Sequence, residues 1–150
     1  MIRIVSILLL ICMLLSLSSC KRNYDAHELL SEFVSTYGIE GVIYSPSVPE
    51  GEDGYVREGF TERIYIFSGD FPENYAIFFN SHTDFYSECA IFISDDANVL
   101  DMAEEMSLER IRLVASGADY AFVKRSSNIC FYSTLRQRER AEKIFSEIIR

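Results

Sequence analysis

The side chains with reactive chemistry are few: four cysteines and two histidines in 150 residues. A nucleophilic Cys89 or Cys130 needs a base within hydrogen-bond reach. His82 is the only histidine close in sequence to either. No G-x-S-x-G, H-E-x-x-H, P-loop or G-x-G-x-x-G pattern occurs. A closed zinc site takes four N or S ligands, and His27 and His82 stand far apart, so neither metal nor cofactor is expected. Paired acids are abundant, at Asp95-Asp96, Glu104-Glu105 and Glu52-Asp53. Glycoside hydrolysis needs two carboxyls held apart across a cleft, which adjacent acids do not supply. Asp95 and Asp96 fit the start of a helix instead. Glu50-Gly51-Glu52-Asp53-Gly54 lacks the alternating ligands and distal Glu of an EF-hand loop, and reads as a solvated acidic loop. No catalytic residue is therefore expected, with a hydrolase lacking a recognisable motif as the alternative.

The cysteine with the clearest setting is Cys20. Arg3 and the amino terminus precede an apolar run from Ile4 to Leu17, and Ser18 and Ser19 follow it. These are the charged, apolar and small-residue regions of a secretory signal. The run is shorter than the ~20 apolar residues that a membrane span needs. Leu17-Ser18-Ser19-Cys20 reads as a lipobox, with cleavage before a cysteine that then carries a thioether-linked diacylglyceryl group. At ~0.8 kcal/mol per buried CH₂, two acyl chains anchor a small domain to a membrane where one does not. Cleavage would remove Met1 to Ser19 from the 150 residues and leave 131, enough for one domain with its own core. Residues 20–23 would then be a lipidated tether and residues 24–150 a single domain. In an exported chain Cys89 and Cys130 form an even pair. A disulfide is possible if their strands approach within ~7 Å, Cα to Cα. Two buried free thiols are the alternative.

Charge is unevenly placed. Between Asp25 and Glu109 there are 19 acids and two bases, Arg57 and Arg63, a net of −17. Between Arg110 and Arg150 there are nine bases and four acids, a net of +5. The acidic total argues against a nucleic-acid partner, because phosphate contacts from Lys and Arg dominate that affinity. The asymmetry has two readings: internal neutralisation of acidic neighbours, or a dipolar surface that faces a partner, anionic lipid or a wall polymer.

Helical spacing of Leu29, Leu30, Phe33, Val34 and Tyr37 predicts a first helix over 24–37, stopped by Gly38. A loop rich in Pro, Gly and acids follows from Ser45 to Gly59. Three strands are expected at Ile64–Phe67, Tyr75–Phe79 and Cys89–Ile93. Asp95 and Asp96 open a second helix over 97–115, ended by Gly117. Tyr120–Lys124 and Ile129–Ser133 read as a hairpin across Arg125 to Asn128. A last helix runs over 135–149, with Thr134 and Gln137 as a capping box. Its apolar face is Ala141, Ile144, Phe145 and Ile148. Arg136, Arg140, Lys143 and Arg150 fall on the opposite face and are expected to form a solvated, possible interaction surface. The order α-βββ-α-ββ-α predicts an α+β fold, an antiparallel-rich sheet of about five strands with helices packed on one side.

Ten aromatic rings fall between Tyr55 and Tyr86. Strand alternation buries about half of them, and any left exposed together would be a binding platform. The whole layout resembles small bacterial lipoproteins that carry an uncharacterised domain, of a kind common in spore-forming Gram-positive bacteria. The likeness is carried by the lipobox, the pair Tyr75-Ala-Ile-Phe-Phe and Glu88-Cys-Ala-Ile-Phe-Ile, and a charged helix ending in Glu109-Arg110-Ile111. Tyr120-Ala-Phe-Val with Ile129-Cys-Phe-Tyr and the amphipathic last helix complete it, over the last half to two-thirds of the chain. Where that family usually carries a hairpin glycine, this chain has Arg125-Ser126-Ser127-Asn128. The resemblance implies architecture and location, with Cys20 the only functional residue it transfers. Together these readings predict an extracytoplasmic interaction module, anchored to the membrane by lipid on Cys20, that binds an unidentified protein or a cell-wall component.

Overall fold

The computed structural model describes residues 23–80 and 87–150. Cys20 and the signal before it, His82, Phe85 and Tyr86 lie outside the described residues. Helix α1 spans Ala26–Tyr37. The Asp25 side chain accepts from the Glu28 N–H at 2.9 Å and caps its start. Gly38, at φ 75°, ends it in the left-handed conformation that glycine adopts without strain. There follow β1 (Gly41–Tyr44), a short helix α2 (Phe60–Ile64), β2 (Asn74–Asn80), β3 (Glu88–Ile93), α3 (Ala97–Val114), β4 (Phe122–Ser126), β5 (Ile129–Ser133) and α4 (Arg138–Ile148).

The five strands form one antiparallel sheet in the order β1-β2-β3-β5-β4. The fold is α+β, as the element pattern predicts. The placement of the helices differs from expectation: they cover both faces of the sheet. On one face α1 and α4 bury Leu30, Phe33, Ile144 and Phe145 against Phe78, Cys89, Ile91 and Phe131. On the other, α3 and the chain after α2 bury Leu100, Ala103, Met106 and Tyr65 against Ile77, Ala90, Phe92 and Tyr132. The cause lies in the central strands. Every residue of β3 and β5 is buried, and unbroken apolar runs need cover on both sides.

Three local readings change. Ile64–Phe67 is not a strand: α2 occupies Phe60–Ile64, and the chain beyond it joins no ladder. The Arg63 guanidinium donates to the carbonyls of Gly59 and Glu58 at 2.9 and 3.0 Å, which favours the helical turn. Strand β1 was not expected, and it extends the sheet beside β2. The capping box at Thr134 does not form. The Thr134 hydroxyl bonds the backbone of Glu88 instead, and Gln137 is the N-cap of α4 without a side-chain capping bond.

The possible disulfide between Cys89 and Cys130 is also corrected: both thiols are free and buried. Cys89 is opposite Ser133 and Cys130 is opposite Phe92 in the β3–β5 register. Their side chains enter different cores, Cys89 under α1 and α4, Cys130 under α3. A bridge would have to pass through the sheet, which disulfide geometry forbids. Alkylation of the denatured protein without reductant, read by intact mass, is expected to add one label at each of Cys89 and Cys130.

Candidate functional site

The last helix is shorter than expected: Arg140 and Lys143 lie on α4, while Arg136 and Arg150 lie just outside its two ends. Arg136, Arg140, Lys143 and Arg150 are all exposed. They do not form one cluster. Arg136 and Arg140 line a shallow cavity of about 500 Å³ at the start of α4, with Asp119, Tyr120 and Gln137. Arg140 lies 5.0 Å over the Tyr37 ring and donates to the Gln137 side chain at 3.3 Å. Lys143 sits about one turn further on, and Arg150 follows the other end of the helix, about 15 Å along the axis from Arg140 at 1.5 Å per residue. Arg138, also exposed, lies 5.3 Å over Phe122 and pairs with Glu142 at 2.7 Å.

Sequence inspection did not bring out a buried polar group at the other end of α3. Glu88, the first residue of β3, is wholly buried. Its carboxylate accepts from Arg110 Nε and Nη2, both at 2.7 Å, and from the Tyr132 hydroxyl at 2.9 Å. Arg110 also donates to the Ile64 carbonyl, the last of α2, at 3.3 Å. The Tyr65 and Tyr132 hydroxyls share a hydrogen bond of 2.8 Å. Burial opposes the Arg110 charge, but the two-point hydrogen bond to Glu88 and the carboxylate's charge more than offset it and raise its pKa above the ordinary value. The only sequence signal was a Glu standing inside the strand-like run Glu88-Cys-Ala-Ile-Phe-Ile.

A second feature lies at the β1 edge. Arg57 and Arg63, the only bases between Asp25 and Glu109, line one cleft of about 590 Å³ with Tyr44, Tyr55, Phe60, Glu52 and Asp53. Glu52 and Asp53 thus belong to the wall of a cleft. The loop is seated on β1 by Gly54: at φ 93°, any Cβ there would lie 2.0 Å from the Ile43 carbonyl oxygen. Ring faces with both signs of charge suit non-covalent binding of a small polar molecule. The remaining aromatics mostly pack together, with Phe71 in edge contact with Tyr75 and Phe92.

The thiols are placed for packing. Burial, with Glu88 as a lesser cause, raises the Cys89 pKa well above its ordinary 9.0. Burial carries Cys130 to about 12. A thiol held protonated in this way is a poor nucleophile and metal ligand. Among the described residues no group of three or more His, Cys, Asp and Glu side chains is placed to hold a metal ion. No protein-family model matches the chain, and no curated protein or solved structure is significantly similar to it.

Two outcomes follow for the buried network. Arg110→Met strands the Glu88 carboxylate without its charge partner and is expected to cost about 3–5 kcal/mol in urea unfolding, while Glu88→Met with Arg110→Met recovers most of it. Alkaline stability falls by a separate route. Burial raises the pKa of Tyr65 and Tyr132 well above 10.0 and that of Tyr75 to about 12. Below pH 10 these tyrosines are protonated in both states. Above it the unfolded chain ionises first, so stability is lost as pH rises through the folded-state values. The urea midpoint is expected to fall between pH 10 and 12, and to fall less steeply in Tyr75→Phe.

Proposed function

We propose that the protein is a lipid-anchored, extracytoplasmic interaction module. It is held to the cell membrane through Cys20 and binds a protein or cell-wall component through the basic start of α4. The observation that carries this reading is the placement of the two ends of the domain. The Tyr24 hydroxyl donates to the Ile149 carbonyl at 2.9 Å, at the end of α4. The Asn74 side chain donates to the Tyr24 carbonyl at 2.8 Å and accepts from the Ala26 N–H at 2.9 Å. The chain therefore enters the domain at the end of the sheet where β2 begins and α4 ends. Cys20 lies four residues before Tyr24, so a fully extended tether reaches at most ~14 Å. A membrane bound to Cys20 would lie against that end.

Arg136 and Arg140 lie at the opposite end, beside the last turn of α1 and the start of β4. They would project away from the lipid, where a soluble or wall-bound anionic partner approaches. Charge of this kind steers association and sets specificity. The acidic whole, net −9 over 150 residues, disfavours nucleic acid as that partner. The reading assigns no catalytic step and no cofactor.

The test is metabolic acyl labelling combined with cross-linking in the protein's own cells. Cys20→Ala is expected to lose the label and leave the membrane fraction. Arg136→Glu with Arg140→Glu is expected to stay anchored and to capture its partner about tenfold less well, as charge reversal at a docking surface does. Label retained by Cys20→Ala removes the anchor, and unchanged capture by the double variant removes α4 as the binding face.

A further inference from the structure

Few large apolar side chains are left in water. Among the described residues they are Ile66, 69% exposed, Leu108, 43%, and Leu113, 57%. Ile66 and Leu108 line one groove of about 460 Å³ between the chain after α2 and the outer side of α3. Met102 and Met106 line it too, as do Glu105 and Glu109. The position of Ile66 is forced by its neighbour. Tyr65 is extended, 3% exposed, and tied by its hydroxyl to Tyr132. Side chains alternate along an extended chain, so when Tyr65 points to the sheet Ile66 points to solvent. The core makes no use of this isoleucine.

The charges of α3 are unequally engaged. Asp101 and Glu104 are taken up by Arg125, and Glu109 pairs with Arg112 at 3.1 Å. Glu105 is exposed and makes no ion pair with a described residue. Arg112 also lines the groove, and its pairing with Glu109 leaves Glu105 as the uncompensated charge among the groove's described lining residues. An apolar groove with a part-exposed methionine, Met102, and an uncompensated carboxylate suits an apolar, basic ligand.

We propose that this groove docks a segment of a partner protein, which inserts an aliphatic side chain beside Ile66 and Leu108 and sets a lysine or arginine against Glu105. The proposal rests on the interaction-module reading and gives it a second surface, on the face of the sheet opposite α4.

The test selects random displayed peptides on the full-length lipoprotein in detergent. Selected peptides are expected to pair an aliphatic residue with Lys or Arg. They should bind Ile66→Asp and Glu105→Lys at least about tenfold more weakly, and peptides with the basic residue changed to Glu should recover affinity for Glu105→Lys. Both positions are exposed, so Tm should not fall in either variant. Peptides that bind the variants as well as the parent overturn the proposal, as does a fall in Tm for Ile66→Asp, which would make Ile66 a packing residue. Self-association abolished by Ile66→Asp would place a second copy in the groove and also overturn it. Partner capture through Arg136 and Arg140 in cells, with no peptide selected on the groove, sinks the groove alone. Groove peptides without capture at α4 leave the groove standing and sink the α4 reading.

Discussion

A carboxylate with no solvent exposure stands at the start of the central strand, and several elements converge to satisfy it. Glu88 takes its charge partner from α3, a hydroxyl from β5, and backbone bonds from Thr134, which leads from β5 toward α4. Through Arg110 it also reaches the last carbonyl of α2. Desolvation offsets most of the attraction in a buried pair, so its net contribution to stability is small. Its consequence is geometric. The fork of Arg110 fits the carboxylate in one orientation, which sets the rotation of α3 and the height of α2 above the sheet.

That placement reaches the surface. Fixing α2 fixes Phe60 and Arg63 in the wall of the β1-edge cleft. It also fixes Tyr65, whose hydroxyl joins the same network. The alternation that follows turns Ile66 into the groove beside α3. Two surface features on one side of the sheet thus adjoin one buried network and the apolar core around it. On the other side, α4 lies on α1 through a separate apolar core, and its tie to Glu88 runs through the backbone bonds of Thr134.

Much of the architecture was legible from the chain. Gly38 marked the end of α1, while its start one residue past Asp25 was fixed by a cap the spacing had not singled out, and the apolar runs at Tyr75–Phe79, Cys89–Ile93 and Ile129–Ser133 became β2, β3 and β5. The last helix showed its two faces through the spacing of Ala141, Ile144 and Phe145 against Arg140 and Lys143. Two short segments misled. Ile64–Phe67 has the apolar character of a strand, but a strand exists only if another offers its edge, and the sheet was completed by Gly41–Tyr44 instead. Thr134 has the type and spacing of a helix cap, yet the backbone of Glu88 used its hydroxyl. Local pattern states what a residue is able to bond, and tertiary contact selects among the partners within reach.

The division has a physical basis. Period, charge and chain punctuation are properties of neighbours in sequence, and they settled the α+β class, the order of most elements, the acidic balance and the amphipathicity of α4. The reading of Cys20 as an anchor also comes from neighbours alone. Which face each strand residue occupies relative to other strands depends on register, and register is set by contacts far apart in the chain. Only the tertiary structure could place Cys89 and Cys130 in opposite cores, put helices on both sides of the sheet, join Glu88 to Arg110, and leave Ile66 facing water.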